Sequence, residues 1–217
     1  MKVLDAHFET YLLEKSRLIK ISPNERNYHI FYQLILGLNK DEKKYCLQNL
    51  NYYNYLNYKE EDEFPDDKKN FNNLKDKLKE FLSKEEIDDL FIIISGILYL
   101  GNIKIEVKEE TKAYIKEISM ENLKQASTLF GLKEEKLKEI LTNFSSGKKT
   151  KNIEDTEINR DFISKELYSK LFNYLIGKLN KKMENNINKD DTSYRIGILD
   201  IFGFENSISQ TKDYKIF

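Results

Sequence analysis

The sequence predicts a mainly α-helical chain with a few strands, and three observations carry that reading. Two segments open with the residues of a helix capping box, Ser22 to Glu25 and Ser83 to Glu86. Apolar residues then recur at spacings of three and four. The chain holds only 8 Gly and 2 Pro among 217 residues, too few for a protein built from tight turns.

Taken in order, Ser22-Pro-Asn-Glu25 supplies a capping hydroxyl, a proline at the first helical position and a glutamate to close the box, so a helix is expected from there to Gly37. Tyr28, Phe31, Tyr32 and Ile35 make its inward face. Glu25 and Arg26 have the chemistry to pair across to neighbouring elements, but a capping box and a solvated helix face explain them more simply. Asn51 to Asn73, rich in Tyr, Asn, Asp and Glu with Pro65 inside it, reads as a solvated connection leading into a helix with Leu74, Leu78, Phe81 and Leu82. The second box opens a helix bearing Ile87, Leu90, Phe91, Ile94, Ile97 and Leu98, which Gly101 ends.

Ile103, Ile105 and Val107 alternate with charged residues, the pattern of a half-buried strand. Two modest helices follow, Met120 to Phe130 and Glu134 to Leu141, and then a polar, basic loop from Ser145 to Lys151. A long helix from about Glu157 to Lys182 presents Phe162, Leu167, Leu171, Tyr174, Leu175 and Leu179 and acts as a strut. After a polar linker, Arg195 to Phe202 is nearly continuous in apolar residues, as in a strand buried on both faces.

The 36 basic and 37 acidic residues cancel to a net charge of −1, which gives no electrostatic footprint for nucleic acid. Cys46 stands alone, so no intramolecular disulfide forms and a reducing cytoplasmic compartment is expected. The most apolar run, Leu90 to Leu100, falls short of the ~20 residues a transmembrane helix needs. His7 and His29 are the only histidines, so no zinc-ligand spacing exists, and His29 reads as a packed helix residue.

Chemistry concentrates near the C-terminus. A buried strand ending in Asp-x-x-Gly suits a nucleotide phosphate site: the carboxylate can hold Mg²⁺ through water, and the glycine lets a bare N–H approach the terminal phosphate. Asp200-Ile-Phe-Gly203-Phe-Glu205 has that form, although a plain strand-to-turn ending has it too.

Gly197-Ile-Leu-Asp-Ile-Phe-Gly-Phe-Glu205 resembles the switch II strand and loop of the myosin family. Further segments resemble myosin head motifs in the same order: Tyr11-Leu-Leu-Glu-Lys-Ser-Arg17, Glu25-Arg-Asn-Tyr-His-Ile-Phe-Tyr-Gln33, Ile97-Leu-Tyr-Leu-Gly-Asn-Ile103, Arg160-Asp-Phe-Ile-Ser-Lys165 and Leu167-Tyr-Ser-Lys-Leu-Phe172. The resemblance implies the helical upper 50-kDa subdomain of a myosin head plus part of its central β-sheet, an incomplete member of the P-loop NTPase superfamily. Residues 1–205 are then a partial motor domain, with the helical body at about 23–182 and the switch II strand and loop at 195–205. Residues 206–217 diverge from the family, which continues into a relay helix at this point.

By the same resemblance Asp200 organises the magnesium shell, Gly203 offers its N–H to the γ-phosphate of ATP, and Glu205 closes onto an arginine of switch I. The loop with Ser145, Lys148, Lys149 and Lys151 takes the place of a surface that touches actin filaments, and Ser145 aligns with a residue that is often acidic or phosphorylatable in the family. The implied protein is an actin-based, ATP-dependent motor, cytoplasmic and associated with the cytoskeleton. Neither G-x-x-x-x-G-K-[ST] nor N-x-N-S-S-R occurs, and Gly147-Lys-Lys-Thr150 lacks the preceding glycine and strand. The chain is therefore expected to start just after those motifs and not to turn over ATP alone. A non-catalytic actin-binding or scaffold protein derived from a myosin head is the alternative.

Overall fold

The helix Lys84–Gly101 sets the frame. In the computed structural model, which describes residues 5–22, 25–38, 43–58, 66–108, 112–142, 153–184 and 196–199, the chain divides into two units, Met1–Glu184 and Asn185–Phe217. In the first, α1 spans His29–Gly37, α2 Asp67–Leu78, α3 Lys84–Gly101, α4 Met120–Leu129, α5 Glu134–Thr142 and α6 Ile153–Met183. Strands β1 (Ile105–Lys108) and β2 (Lys112–Ile115) pair antiparallel, with Ile105 opposite Ile115 and Val107 opposite Ala113. The protein is mainly helical, as the sequence predicts.

The capping box of α3 forms as read. Ser83 Oγ accepts from the Glu86 N–H at 3.2 Å, and the Glu86 carboxylate accepts from the Ser83 N–H at 2.8 Å. From Ile94 to Gly101 every residue of α3 is buried, so this end is surrounded rather than merely faced by the core. Glycines permit the close approach: a Cβ on Gly96 would lie 2.5 Å from the Phe130 ring, and one on Gly101 2.6 Å from Tyr55.

Helix α1 is shorter than its capping signal predicts. It begins at His29 with no side-chain cap; Glu25 N–H donates to Ser22 C=O at 3.0 Å, and Pro23 and Asn24 lie outside the described residues. The reason is Asn27. Buried, it donates to the carbonyls of Leu18 (2.9 Å) and Tyr55 (2.6 Å), while its Oδ1 accepts from the Tyr28 N–H at 2.7 Å. That fixes the backbone where a helix would have continued. Glu25 pairs with Arg17 at 2.9 Å and Arg26 with Asp67 at 2.5 Å, so both side chains bind neighbouring elements instead of serving a cap. His29 is exposed, not packed.

The supposed solvated connection also differs. Tyr53, Tyr55 and Leu56 are buried, and α2 already begins at Asp67. Tyrosine explains the misreading, because a ring can fill the core while its hydroxyl finds a partner. Tyr53 accepts from the Gln48 N–H at 2.9 Å, and Tyr52 donates to Asn122 at 2.9 Å.

After α4, Gly131 adopts a left-handed φ of +64°. Leu132 N–H then donates to Ser127 C=O and Gly131 N–H to Thr128 C=O, which stops the helix and lets α5 turn back. Helix α6 runs 31 residues, roughly 46 Å at 1.5 Å per residue. It lays Ile163, Leu167, Tyr168, Leu171 and Leu175 on the core, while Phe162 and Tyr174, expected on that face, are exposed. No helix among the described residues is long and apolar enough to cross a membrane.

In the second unit only Ile196–Leu199 are described. They form no strand, and Ile196, Ile198 and Leu199 are 74%, 91% and 67% exposed. A strand of the doubly buried kind needs neighbours to pair with its backbone and cover its faces, and these four residues have no such cover.

Candidate functional site

Asp200, Gly203 and Glu205, with Ser145, Lys148, Lys149 and Lys151, lie outside the described residues. The described body instead holds the other conspicuous motif residues, and it brings them together in two polar networks.

The first is built on α6. Arg160, only 5% exposed, donates through Nε (2.8 Å) and Nη2 (2.7 Å) to Oδ1 of Asp161, and through Nη1 to the Ile103 carbonyl at 2.8 Å. Its guanidinium sits 5.9 Å from the Tyr55 ring centre, and Glu157 lies 3.6 Å from Nη1. Tyr55 reaches across to donate to Asp161 Oδ1 at 2.7 Å and stands 3.1 Å from Ser164 Oγ, which donates to the Arg160 carbonyl. Burial pulls the Arg160 value down, but Tyr55, Asp161 and Glu157 outweigh it and the net shift is upward. Burial raises the Tyr55 phenol. These groups are committed to one another, so the cluster works as a brace joining α6, the end of α3 and the Tyr55 segment.

The second network ties the N-terminal segment to the same body. Arg17 bonds Glu14 (2.7 Å), Glu25 (2.9 Å) and the Arg26 carbonyl (3.2 Å). Arg26 lies 4.1 Å over the Tyr32 ring while it holds Asp67. Lys15 reaches Glu166 of α6 at 2.7 Å. Tyr28 donates to the Glu14 carbonyl and stacks on Tyr168 of α6, ring centres 4.5 Å apart. The sequence segments Tyr11 to Arg17, Glu25 to Gln33 and Arg160 to Phe172 thus converge in space.

Sequence reasoning named these residues as motif letters and missed their work. An arginine beside an aspartate on an otherwise apolar helix face was the available signal for the first network. Nothing marks Tyr55 among 14 tyrosines. No group of three or more His, Cys, Asp or Glu among the described residues can hold a metal ion.

The myosin head (motor domain) family model matches residues 1–211. Myosin-6 of Arabidopsis thaliana is 34% identical over 94% of this chain, and Myosin-A of Plasmodium yoelii yoelii is 37% identical over 92%. The chain spans 14% of the first relative's length and 26% of the second's. With the matched motifs meeting around α6 and the family match running almost end to end, the chain belongs to the myosin head (motor domain) family.

Proposed function

We propose that the chain is a segment of an actin-based, ATP-dependent cytoskeletal motor, supplying a helical frame and the switch II phosphate sensor. The family match over residues 1–211 carries this reading. The commitment of Arg17, Arg26, Arg160 and Asp161 to internal partners supports it, because it leaves the chemistry to residues 200–205.

In that role Asp200 is a hard oxygen donor suited to the water shell of Mg²⁺, which when bound neutralises charge on the phosphates. Gly203, with no Cβ, lets its N–H approach the γ-phosphate oxygens of ATP. Glu205 pairs with an arginine elsewhere in the head, shutting out bulk water and orienting the attacking water, a positioning role rather than covalent catalysis. Lys148, Lys149 and Lys151 offer positive charge to an acidic filament such as actin, and a phosphate on Ser145 would weaken that contact. The 217 residues alone do not turn over ATP, because they contain no phosphate-loop pattern.

One quench-flow experiment tests the assignment. A complete head containing this segment should show a hydrolysis burst that Glu205→Ala suppresses by about 10²-fold or more while nucleotide still binds. The 217-residue chain run in parallel should show none. An unchanged burst in the variant removes Glu205 from this role.

A further inference from the structure

Four glycines lie in the described helices, and three have a steric reason to be there. A Cβ on Gly37, Gly96 or Gly101 would strike the ring of Phe71, Phe130 or Tyr55 at 2.3 to 2.6 Å. Gly177, inside α6, is different: a Cβ there would meet nothing within 4 Å. Packing does not demand glycine at this position, and alanine would make a stronger helix. What glycine supplies here is backbone freedom.

Side chains on either side of that weak point grip other elements. Tyr174 donates to Glu86 at 2.6 Å, and Lys178 bonds the same carboxylate oxygen. Glu86 is the residue that closes the capping box of α3, through its other oxygen. Asn180 holds the main chain of Phe8 from both sides, accepting from its N–H at 2.8 Å and donating to its carbonyl at 2.9 Å. The last turns of α6 are thus tied to α3 through Lys178 and to the extended N-terminal segment through Asn180.

We infer that Gly177 is a hinge in α6, latched straight by the Tyr174–Glu86–Lys178 clasp, and that the helix end beyond it moves as one body with the Phe8 segment. When the clasp opens, hydrogen bonds that reach back across Gly177, from the amides of Lys178 to Lys181, are the ones that break. Asn180 keeps its hold on Phe8, so the two travel together. The clasp is exposed enough for salt to weaken it, which makes the hinge responsive to its ionic surroundings. This inference does not depend on the proposed motor role.

Residue-resolved amide hydrogen exchange by NMR on the 217-residue chain tests it. A step in protection is expected at Gly177, with the amides of Lys178 to Lys181 exchanging at one common rate, while the Phe8 amide, still held by Asn180, stays outside that group. Gly177→Ala should slow that group about fivefold and leave residues 160–172 unchanged. Lys178→Met, which spares the capping box, should speed the group several-fold at low salt, and high salt should remove the difference. Tyr174→Phe, losing only a hydroxyl, should act in the same direction more weakly. A smooth rise in exchange toward Met183 without a step, or no response to Gly177→Ala, overturns the hinge. Unchanged rates in Lys178→Met overturn the latch.

Discussion

Asp161 is held by three donors: Arg160, its neighbour on α6, turns two N–H groups onto one carboxylate oxygen and Tyr55 adds the third. Removing the arginine would leave Asp161 with only Tyr55 of these donors and take the Nη1 donor from the Ile103 carbonyl. Breaking a buried pair from one side costs about 3–5 kcal/mol, far more than an exposed pair contributes. Arg160→Met is therefore expected to lower unfolding free energy by about that much in urea titrations. Glu80→Ala, which removes an exposed partner of Lys77 at 2.8 Å, should leave the urea midpoint almost unchanged. A loss below about 1 kcal/mol for Arg160→Met would show the brace to be dispensable.

At the scale of elements, legibility followed whether the deciding interactions were local. The Ser83 to Glu86 box lies within one turn, and α3 starts where its letters say. Helices α4 and α5 likewise begin at their expected residues, Met120 and Glu134. The Ser22 to Glu25 letters are as good, yet α1 starts only at His29, because Asn27 answers to Leu18 and Tyr55, 9 and 28 residues away and outside the helix. Strand β2 was invisible for the same reason, since Lys112–Ile115 is a strand only by pairing with β1. The candidate phosphate-site residues stand out in the sequence as a family motif and lie outside the described residues, whereas the polar braces do not stand out, because their partners sit 57 and 106 residues apart in sequence. A motif names its letters without saying what each one touches.

For the whole molecule, the two units differ in how they treat apolar surface. The first buries an extensive core around α3, whereas Ile196, Ile198 and Leu199 of the second are largely in water. Exposed apolar runs of that kind invite association between chains. A chain cut after Lys182 should therefore be monodisperse by light scattering and melt cooperatively, while the 217 residues self-associate. Monodisperse behaviour of the full chain with a higher melting temperature would mean that this run is covered after all. The core itself has another consequence, an optical one. The protein has no tryptophan, so its near-ultraviolet absorption belongs to tyrosine, and several of those rings are buried. Burial pushes the Tyr45 phenol up to about 12, and that of Tyr53 higher still, from an ordinary value of 10.0. In the unfolded chain these phenols ionise near 10, but in the folded one they stay protonated. Stability from this source is therefore intact below about pH 10 and drains away as alkalinity climbs toward 12. Tyrosinate absorbance from the buried rings should rise together with loss of helical circular dichroism, and free titration near 10 with helix retained would contradict this. The rings that fill the space around α3 thereby set the fold's alkaline limit and announce its crossing in the ultraviolet spectrum.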